Sequence, residues 1–323
     1  MLESDQSQMI PEIFGEKRYY SWNHYLRNQF GEKVFKVPLD AGFDCPNRNG
    51  SVAYGGCTFC SERGSGDFAG DRQDDLVTQF NQIKNRMHQK WKSGKYIGYF
   101  QAYTNTFAPV ETLRAYFEAI LQQEGVVGLA IATRPDCLPD DVVEYLAELN
   151  ERTFLWIELG LQTVHEKTAT LINRAHDFQC YVEGVNKLRK HNINICAHII
   201  NGLPMENEEM MMETAREVSK LDVQGIKIHL LHLLKRTPMV KQYEKGLLEL
   251  MSFESYIKTV VDQLEILPPD MIIHRLTGDG PADLMIGPMW SLNKWKVLNE
   301  IENELRLRGS WQGKYFSNER VIE

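Results

Sequence analysis

The chain has none of the marks of export or membrane insertion. Met1 to Gln8 hold no basic stretch leading into an apolar core, and no apolar run approaches the about 20 residues that span a bilayer. A cytoplasmic location and no membrane partner are therefore expected. Cysteine is scarce, six in 323 residues, and no second close pair accompanies Cys57 and Cys60. In a reducing compartment such cysteines are thiols or thiolate ligands rather than three disulfides. Cys137, Cys180 and Cys196 stand singly and read as inert buried thiols. Basic residues are outnumbered, 36 lysines and arginines against 44 acids for a formal charge of −8, which argues against wholesale attraction to nucleic acid. One local exception is 84–95, where Lys84, Arg86, Lys90, Lys92 and Lys95 surround Trp91 without an acid. A solvated helix surface accounts for that stripe as well as phosphate binding does. Also absent are an internal repeat of 20 to 50 residues and a Ser/Gly-rich linker.

What is present is an alternation of short β-branched or aromatic runs with longer amphipathic segments. Strands are expected over 34–39, 96–103, 127–133, 153–159, 193–200 and 225–231, and helices near 74–92, 110–123, 140–150, 178–190 and 206–220. Pro109 before Val110 and the acidic turn Asp140-Asp141 are start signals. Six strands joined by helices imply a parallel sheet, because parallel neighbours need a crossover connection. Periodicity alone leaves open whether that sheet is doubly wound or a barrel lacking two units. After Leu231 the pattern changes to proline- and glycine-punctuated chain, with helices near 252–266 and 292–307 and a short run at 271–276. The expected organisation is an N-terminal segment 1–30, an αβ core 31–236 and an extension 237–323 packed on it.

Three cysteines lie together in Asp44-Cys-Pro-Asn-Arg-Asn-Gly-Ser-Val-Ala-Tyr-Gly-Gly-Cys-Thr-Phe-Cys60, a C-x11-C-x2-C array following the first strand. Chemistry in α/β folds gathers at the C-terminal ends of strands. Gly50, Gly55 and Gly56 let the backbone bend around a ligand and offer it N–H groups. A zinc site with a fourth ligand such as His24 is one reading, although zinc ribbons usually supply two close pairs. A redox dithiol at Cys57 and Cys60 is another, and it leaves Cys45 idle. An iron–sulfur cube held by Cys45, Cys57 and Cys60, with one iron open to an outside ligand, uses all three.

Beyond the loop, the motifs Phe100-Gln-Ala-Tyr-Thr-Asn-Thr106, Ala132-Thr-Arg-Pro-Asp-Cys137, Trp156-Ile-Glu-Leu-Gly-Leu-Gln162, Asn173-Arg-Ala-His176, His198-Ile-Ile-Asn-Gly-Leu-Pro204 and His274-Arg-Leu-Thr-Gly-Asp-Gly-Pro281 follow in order. Together with Phe59 before the last cysteine, they resemble the radical S-adenosylmethionine (SAM) superfamily. The long first cysteine gap resembles the branch of the elongator catalytic subunit and the YhcC/YtqA-type proteins. The resemblance covers roughly 18–290 and implies a partial (βα)6 barrel of TIM type with an α-rich C-terminal extension. It also implies a [4Fe–4S] cluster on the three cysteines and SAM as cofactor. Tyr103, Asn105 and Thr106 align with the segment holding the methionine amino group, although the Gly-Gly-Glu triplet of other branches is missing. Glu158, with Gln162 nearby, matches the acid that binds the SAM ribose; the alternative for a carboxylate on an apolar strand is an ion pair inside the barrel. Arg174 would neutralise the SAM carboxylate or cap a helix, and Gly202 would let the backbone approach the adenine.

His198, Lys227 and His229 share the inward face of strands five and six and are the expected catalytic or substrate-binding groups. His274, Arg275 and Asp279 would close the barrel over the site. The resemblance points to tRNA as substrate and to the C5 side chain of the wobble uridine, as in MnmL-like enzymes that turn carboxymethylaminomethyl into aminomethyl. It implies a flavodoxin- or ferredoxin-type reductant. Acetyl transfer, known from the elongator subunit, is not expected, since no acetyltransferase domain fits after 236. If tRNA is the substrate, 84–95 and the aromatic stretch Arg18-Tyr-Tyr-Ser-Trp-Asn-His24 are expected to contact it. The rival readings are a radical SAM enzyme acting on a small metabolite or peptide, and a zinc-stabilised, non-catalytic nucleic-acid-binding protein.

Overall fold

A computed structural model describes residues 9–64 and 66–317; residues 1–8, 65 and 318–323 lie outside the described residues. In chain order the elements are α1 (Trp22–Phe30), β1 (Val34–Leu39), α2 (Pro46–Asn49), α3 (Leu76–His88), β2 (Lys95–Phe100), α4 (Val110–Leu121), β3 (Val126–Thr133), α5 (Asp140–Arg152), β4 (Phe154–Gln162), α6 (Glu166–Leu171), α7 (Phe178–Arg189), β5 (Asn194–Asn201), α8 (Glu208–Lys220), β6 (Gly225–Leu230), β7 (Leu233–Leu234), α9 (Met239–Glu244), α10 (Phe253–Ile266), β8 (Ile272–Arg275), β9 (Met285–Gly287) and α11 (Lys294–Leu307). The sheet runs β1-β2-β3-β4-β5-β6-β8 with every pairing parallel, while β7 and β9 pair separately. It is a curled half-barrel that does not close, with β1 at one edge and β8 at the other, where Ile273 N–H donates to Tyr20 O at 2.8 Å. The run expected at 271–276 supplies the seventh strand, and α10 supplies its crossover.

The period of two in the strands decides which side chains meet the helices. Val37, Leu39, Phe100, Leu129, Ile131, Leu155, Ile157, Leu159, Ile195, Ala197, Ile226 and Ile228 are buried in the layer under the helices. Helices start where a side chain satisfies a free backbone N–H: Asp75 accepts from Thr78, Asp177 from Cys180, Asn207 from Met210 and Ser252 from Ser255. The second strand ends at Phe100 rather than Tyr103. Tyr103 takes a left-handed φ of 58° and swings its ring to Gly64 of the cysteine loop, so the chain has already turned.

The inner face is plugged at the N-terminal ends of the strands. Phe14, Tyr20 and Leu26 pack there with Ile97, Ala130, Trp156 and Cys196, and Trp22 stacks on His274 with ring centroids 3.9 Å apart. This corrects the expectation that 18–24 offers rings to RNA. Tyr19 and Tyr20 are buried, and removing them from water is worth about 1.5–3 kcal/mol per large side chain.

Candidate active site

Cys45 caps α2, Pro46 begins it, and Gly50 leaves it in the left-handed conformation. The loop is tied down from both sides: Thr58 N–H donates to Ile172 O at 2.9 Å, and Met239 N–H donates to Thr58 O at 3.0 Å. Asn173, with φ 54°, donates from Nδ2 to Tyr54 O and Gly56 O at 3.0 and 2.8 Å. Asn47 Nδ2 in turn donates to Asn173 O at 2.6 Å and lies 3.5 Å from Cys57 Sγ as a donor. Cys57 and Cys60 are close enough to share a proton. The bond from Cys60 pulls the Cys57 thiol below its usual value, against burial and with help from Arg134, Asn47 and Arg174; the Cys60 thiol is pushed well up. Arg134 interacts electrostatically with Cys45 and Cys57 while its side chain pairs with Asp136 at 2.7 Å. Sequence reasoning passed over Arg134, Asn47 and Asn173. Their only signal was their place in motifs at strand ends.

At the end of β2, Asn105 Nδ2 donates to Ala102 O and Ala132 O at 3.1 and 2.9 Å, leaving its buried Oδ1 without a partner. That orphan acceptor suits an amino group brought by a ligand. Thr106 is differently employed, its hydroxyl bonded to Thr133 and Cys137 O at 2.5 Å each. The Tyr103 hydroxyl bonds Glu62 O, and Phe59 packs with Ile172, Leu203 and Leu231. Gln162, at φ 64°, lays its amide over Gly160 on the inner face, 2.9 Å from where a side chain at 160 would start. The face of Gly202 that a side chain would occupy is taken by Met251, which leaves no opening there for a ring. Arg174 is fully buried and gives Nε to the carbonyl of His176 and Nη1 to those of Leu161 and Thr163, so two of its three nitrogens are spent on backbone; buried Nη2 keeps no hydrogen-bond partner and lies 3.7 Å from Glu166 Oε1.

Below the strand ends lies a charged layer. Glu158 is buried, with Lys36 Nζ 2.5 Å from Oε1, Lys227 Nζ on Oε2, and His198 Nε2 3.2 Å from Oε2 without hydrogen-bond alignment. Lys227 also donates to the Tyr99 hydroxyl at 3.1 Å. The expected ribose role gives way here to the ion pair, because two ammoniums from β1 and β6 point at the same carboxylate. Burial resists its charge, but Lys227 and Lys36 hold the Glu158 carboxyl well below its usual value. Burial brings Lys227 down to about 8 and His198 to about 4, and keeps His229 well below an ordinary histidine; Lys227 is among the charges acting on both rings.

These buried imidazoles make the fold acid-sensitive. His198, His232 and His176 are each held down to about 4, first by burial. Between about pH 6.5 and 4 the unfolded chain therefore binds protons that the folded chain refuses, and stability falls as pH falls. The slope contributed by each such histidine is about 1.4 kcal/mol per pH unit. Urea midpoints of the cluster-free chain should drop steeply from pH 6.5 to 5, and His198→Gln should flatten the drop. A midpoint constant across that window would contradict the assignment.

The two basic surfaces lie at opposite ends of the barrel. Lys95 opens β2, so 84–95 sits at the N-terminal strand ends, about 20 Å of strand away from the cysteine loop. Lys33 there covers the Trp91 ring at 2.9 Å from its centroid. Beside the loop, Lys235 and Arg236 before α9, Lys241 within it and Lys245 just after it are exposed, together with Tyr243 and Glu244 of the same helix. A cavity of about 820 Å³ adjoins the outer wall of the loop, lined by Pro46, Val52, Phe107, Pro135, Cys137 and Cys180 among others.

Comparison with known proteins bears on this arrangement. Residues 47–218 match the model described as the Radical SAM superfamily, and residues 223–306 match that of the Radical SAM C-terminal domain. YtqA of Bacillus subtilis is 71% identical over 96% of this chain and 97% of its own length. Protein YhcC of Escherichia coli is 37% identical over 90% and 94%. Among solved structures, the archaeal Elp3 of Methanocaldococcus infernus superposes with a TM-score of 0.64 over 86% of this chain and 64% of that one, at 15% identity, a likeness of fold.

Proposed function

Because this chain belongs to the radical SAM superfamily, whose members bind a [4Fe–4S] cluster and SAM, we propose that it acts on the C5 side chain of the tRNA wobble uridine, converting carboxymethylaminomethyl to aminomethyl. The donor set suits the cluster. Three thiols lie on one tethered loop beside Arg134 and Arg174, one of them with a lowered pKa and an amide donor on its sulfur. When bound, the cluster and SAM would supply a 5′-deoxyadenosyl radical able to take a hydrogen atom from the carboxymethyl carbon next to nitrogen; with one electron returned to the oxidised cluster the substrate would become an imine, and water would release it as the aminomethyl group and glyoxylate.

The observation carrying the substrate reading is the mouth above Glu158, where His232 Nε2 is buried without a hydrogen-bond partner and His198 Nε2 has only the Glu158 carboxylate, 3.2 Å away. Neutral imidazoles there receive a polar substituent, and Lys227, near 8 beside Tyr99, holds a proton for the departing amine. A wobble base lies in a single-stranded loop and can be splayed into such a mouth. Lys235, Arg236, Lys241 and Lys245 would meet the flanking phosphates. A flavodoxin- or ferredoxin-type donor would supply the electron.

Nucleoside mass spectrometry of tRNA from cells lacking this protein should show the carboxymethylaminomethyl form accumulating at the expense of the aminomethyl form. An unchanged profile would move the assignment to a small metabolite or peptide.

A further inference from the structure

Among the described residues one cation at the barrel mouth, its side chain about a third exposed, has no carboxylate of its own. Lys36 and Lys227 share Glu158, whereas Arg275 engages only Asp279, at 3.7 Å, and that same Oδ2 is already held by Lys294 at 2.8 Å. Arg275 points inward because of an irregular register. Ile226 pairs with Ile273 but Lys227 pairs with Arg275, so His274 is an extra residue on β8, and Arg275 faces the same side as Lys227. Five N–H donors thus sit at a barrel mouth with one distant partner among the described residues.

Two further features gather there. His232 Nε2 is buried without a partner. The turn Gly278-Asp279-Gly280 packs onto the histidine rings: a side chain at 278 would start 3.4 Å from His229 Nδ1, and one at 280 would start 2.9 Å from His232 Nδ1. Glycine on both sides of Asp279 is what lets the turn bring that carboxylate against Arg275. Burial above all keeps His229 and His232 neutral; Arg275 acts in the same direction on both, while Asp279 opposes it at His232, so they contribute hydrogen bonds rather than charge.

We infer that Arg275, His232 and Asp279 form a subsite for a zwitterionic N-substituted glycine group, its carboxylate on the Arg275 fork and His232 Nε2–H, its secondary ammonium on Asp279. The inference rests on the reaction proposed above and names how its substrate is recognised. An arginine fork matches a planar carboxylate by two parallel bonds. Asp279 disfavours a phosphate, which brings only negative charge, and favours a ligand carrying an ammonium one carbon from its carboxylate.

Sarcosine carries that pair of groups and serves as the probe, titrated into anaerobically purified, cluster-loaded protein by saturation-transfer NMR. Saturable binding is expected, with dimethylammonium and inorganic phosphate at least about tenfold weaker. Arg275→Gln should weaken sarcosine about tenfold or more, and Arg275→Lys, which keeps the charge and loses the fork, should fall between. No saturable binding, equal binding by wild type and both variants, or a preference for phosphate would overturn the subsite. Arg275-dependent sarcosine binding together with an unchanged tRNA nucleoside profile would support the subsite and remove tRNA as the molecule that carries the group.

Discussion

Glu158→Gln should destabilise the chain by about 3–5 kcal/mol, because the substitution leaves two ammoniums facing a neutral amide in a site closed to water. Lys227 is almost wholly buried and Lys36 largely so. Without the carboxylate, Lys227 can only shed its proton, and its pKa, already near 8, should fall further. Urea unfolding of the cluster-free chain checks this: the midpoint should move while the slope with denaturant stays constant. The double variant Glu158→Gln with Lys227→Met should recover part of the loss, since it removes the stranded charge at similar volume. If Glu158 chiefly served the SAM ribose, the single variant would keep the stability of the cluster-free chain and lose only SAM affinity. The two outcomes are cleanly separate.

Cys57→Ala is expected to reduce iron from about four per chain to near zero and to bring reductive SAM cleavage to background. Three thiolates are already the minimum for a cube with one open corner, so losing one leaves no spare ligand nearby. Cys137 and Cys196 are buried, and burial pushes both thiols upward; Cys137→Ala and Cys196→Ala should leave the iron content unchanged. Loop tethering by Asn173, Thr58 and Met239 does not pass through Cys57 Sγ. The stability of the cluster-free Cys57→Ala chain should accordingly stay within about 1 kcal/mol of wild type. Iron retained by the variant would remove Cys57 from the cluster.

The surfaces also separate by position. The stripe 84–95 and the rim around α9 are both basic, but only the rim lies beside the cysteines, because parallel strands put every strand start at one end and every strand finish at the other. Reversing Lys241 and Lys245 to glutamate should therefore weaken tRNA binding and its salt dependence more than the same change at Lys90 and Lys92.

Most of the scaffold was legible from side-chain pattern alone. Alternation of apolar residues gave six of the seven parallel strands, and proline and aspartate marked helix starts, because both signals are local. The three cysteines announced themselves by spacing on a glycine-rich loop. The seventh strand escaped because four residues, two of them His274 and Arg275, carry little periodicity, and a register irregularity blurs what remains. Aromatic residues at 18–24 gave no hint whether they faced solvent or core; that depended on an open barrel end needing to be filled.

The roles of single polar residues were a matter for tertiary structure throughout. Asn105, Arg174 and Glu158 were all visible as polar groups at or near strand ends. Yet one keeps an orphan oxygen, one spends two of its three nitrogens on carbonyls, and one is locked between two lysines. Which of these happens depends in part on partners distant in the chain, such as Leu161 for Arg174 and Lys36, 122 residues away, for Glu158. Residue order by itself determined the strands, the helices and the spacing of the three cysteines, since each is a local pattern; the tethering of the cysteine loop and the electrostatic state of the barrel interior were decided by folding, since hydrogen bonds to distant residues, Coulomb energy and desolvation depend on distances and burial that exist only once the sheet has curled.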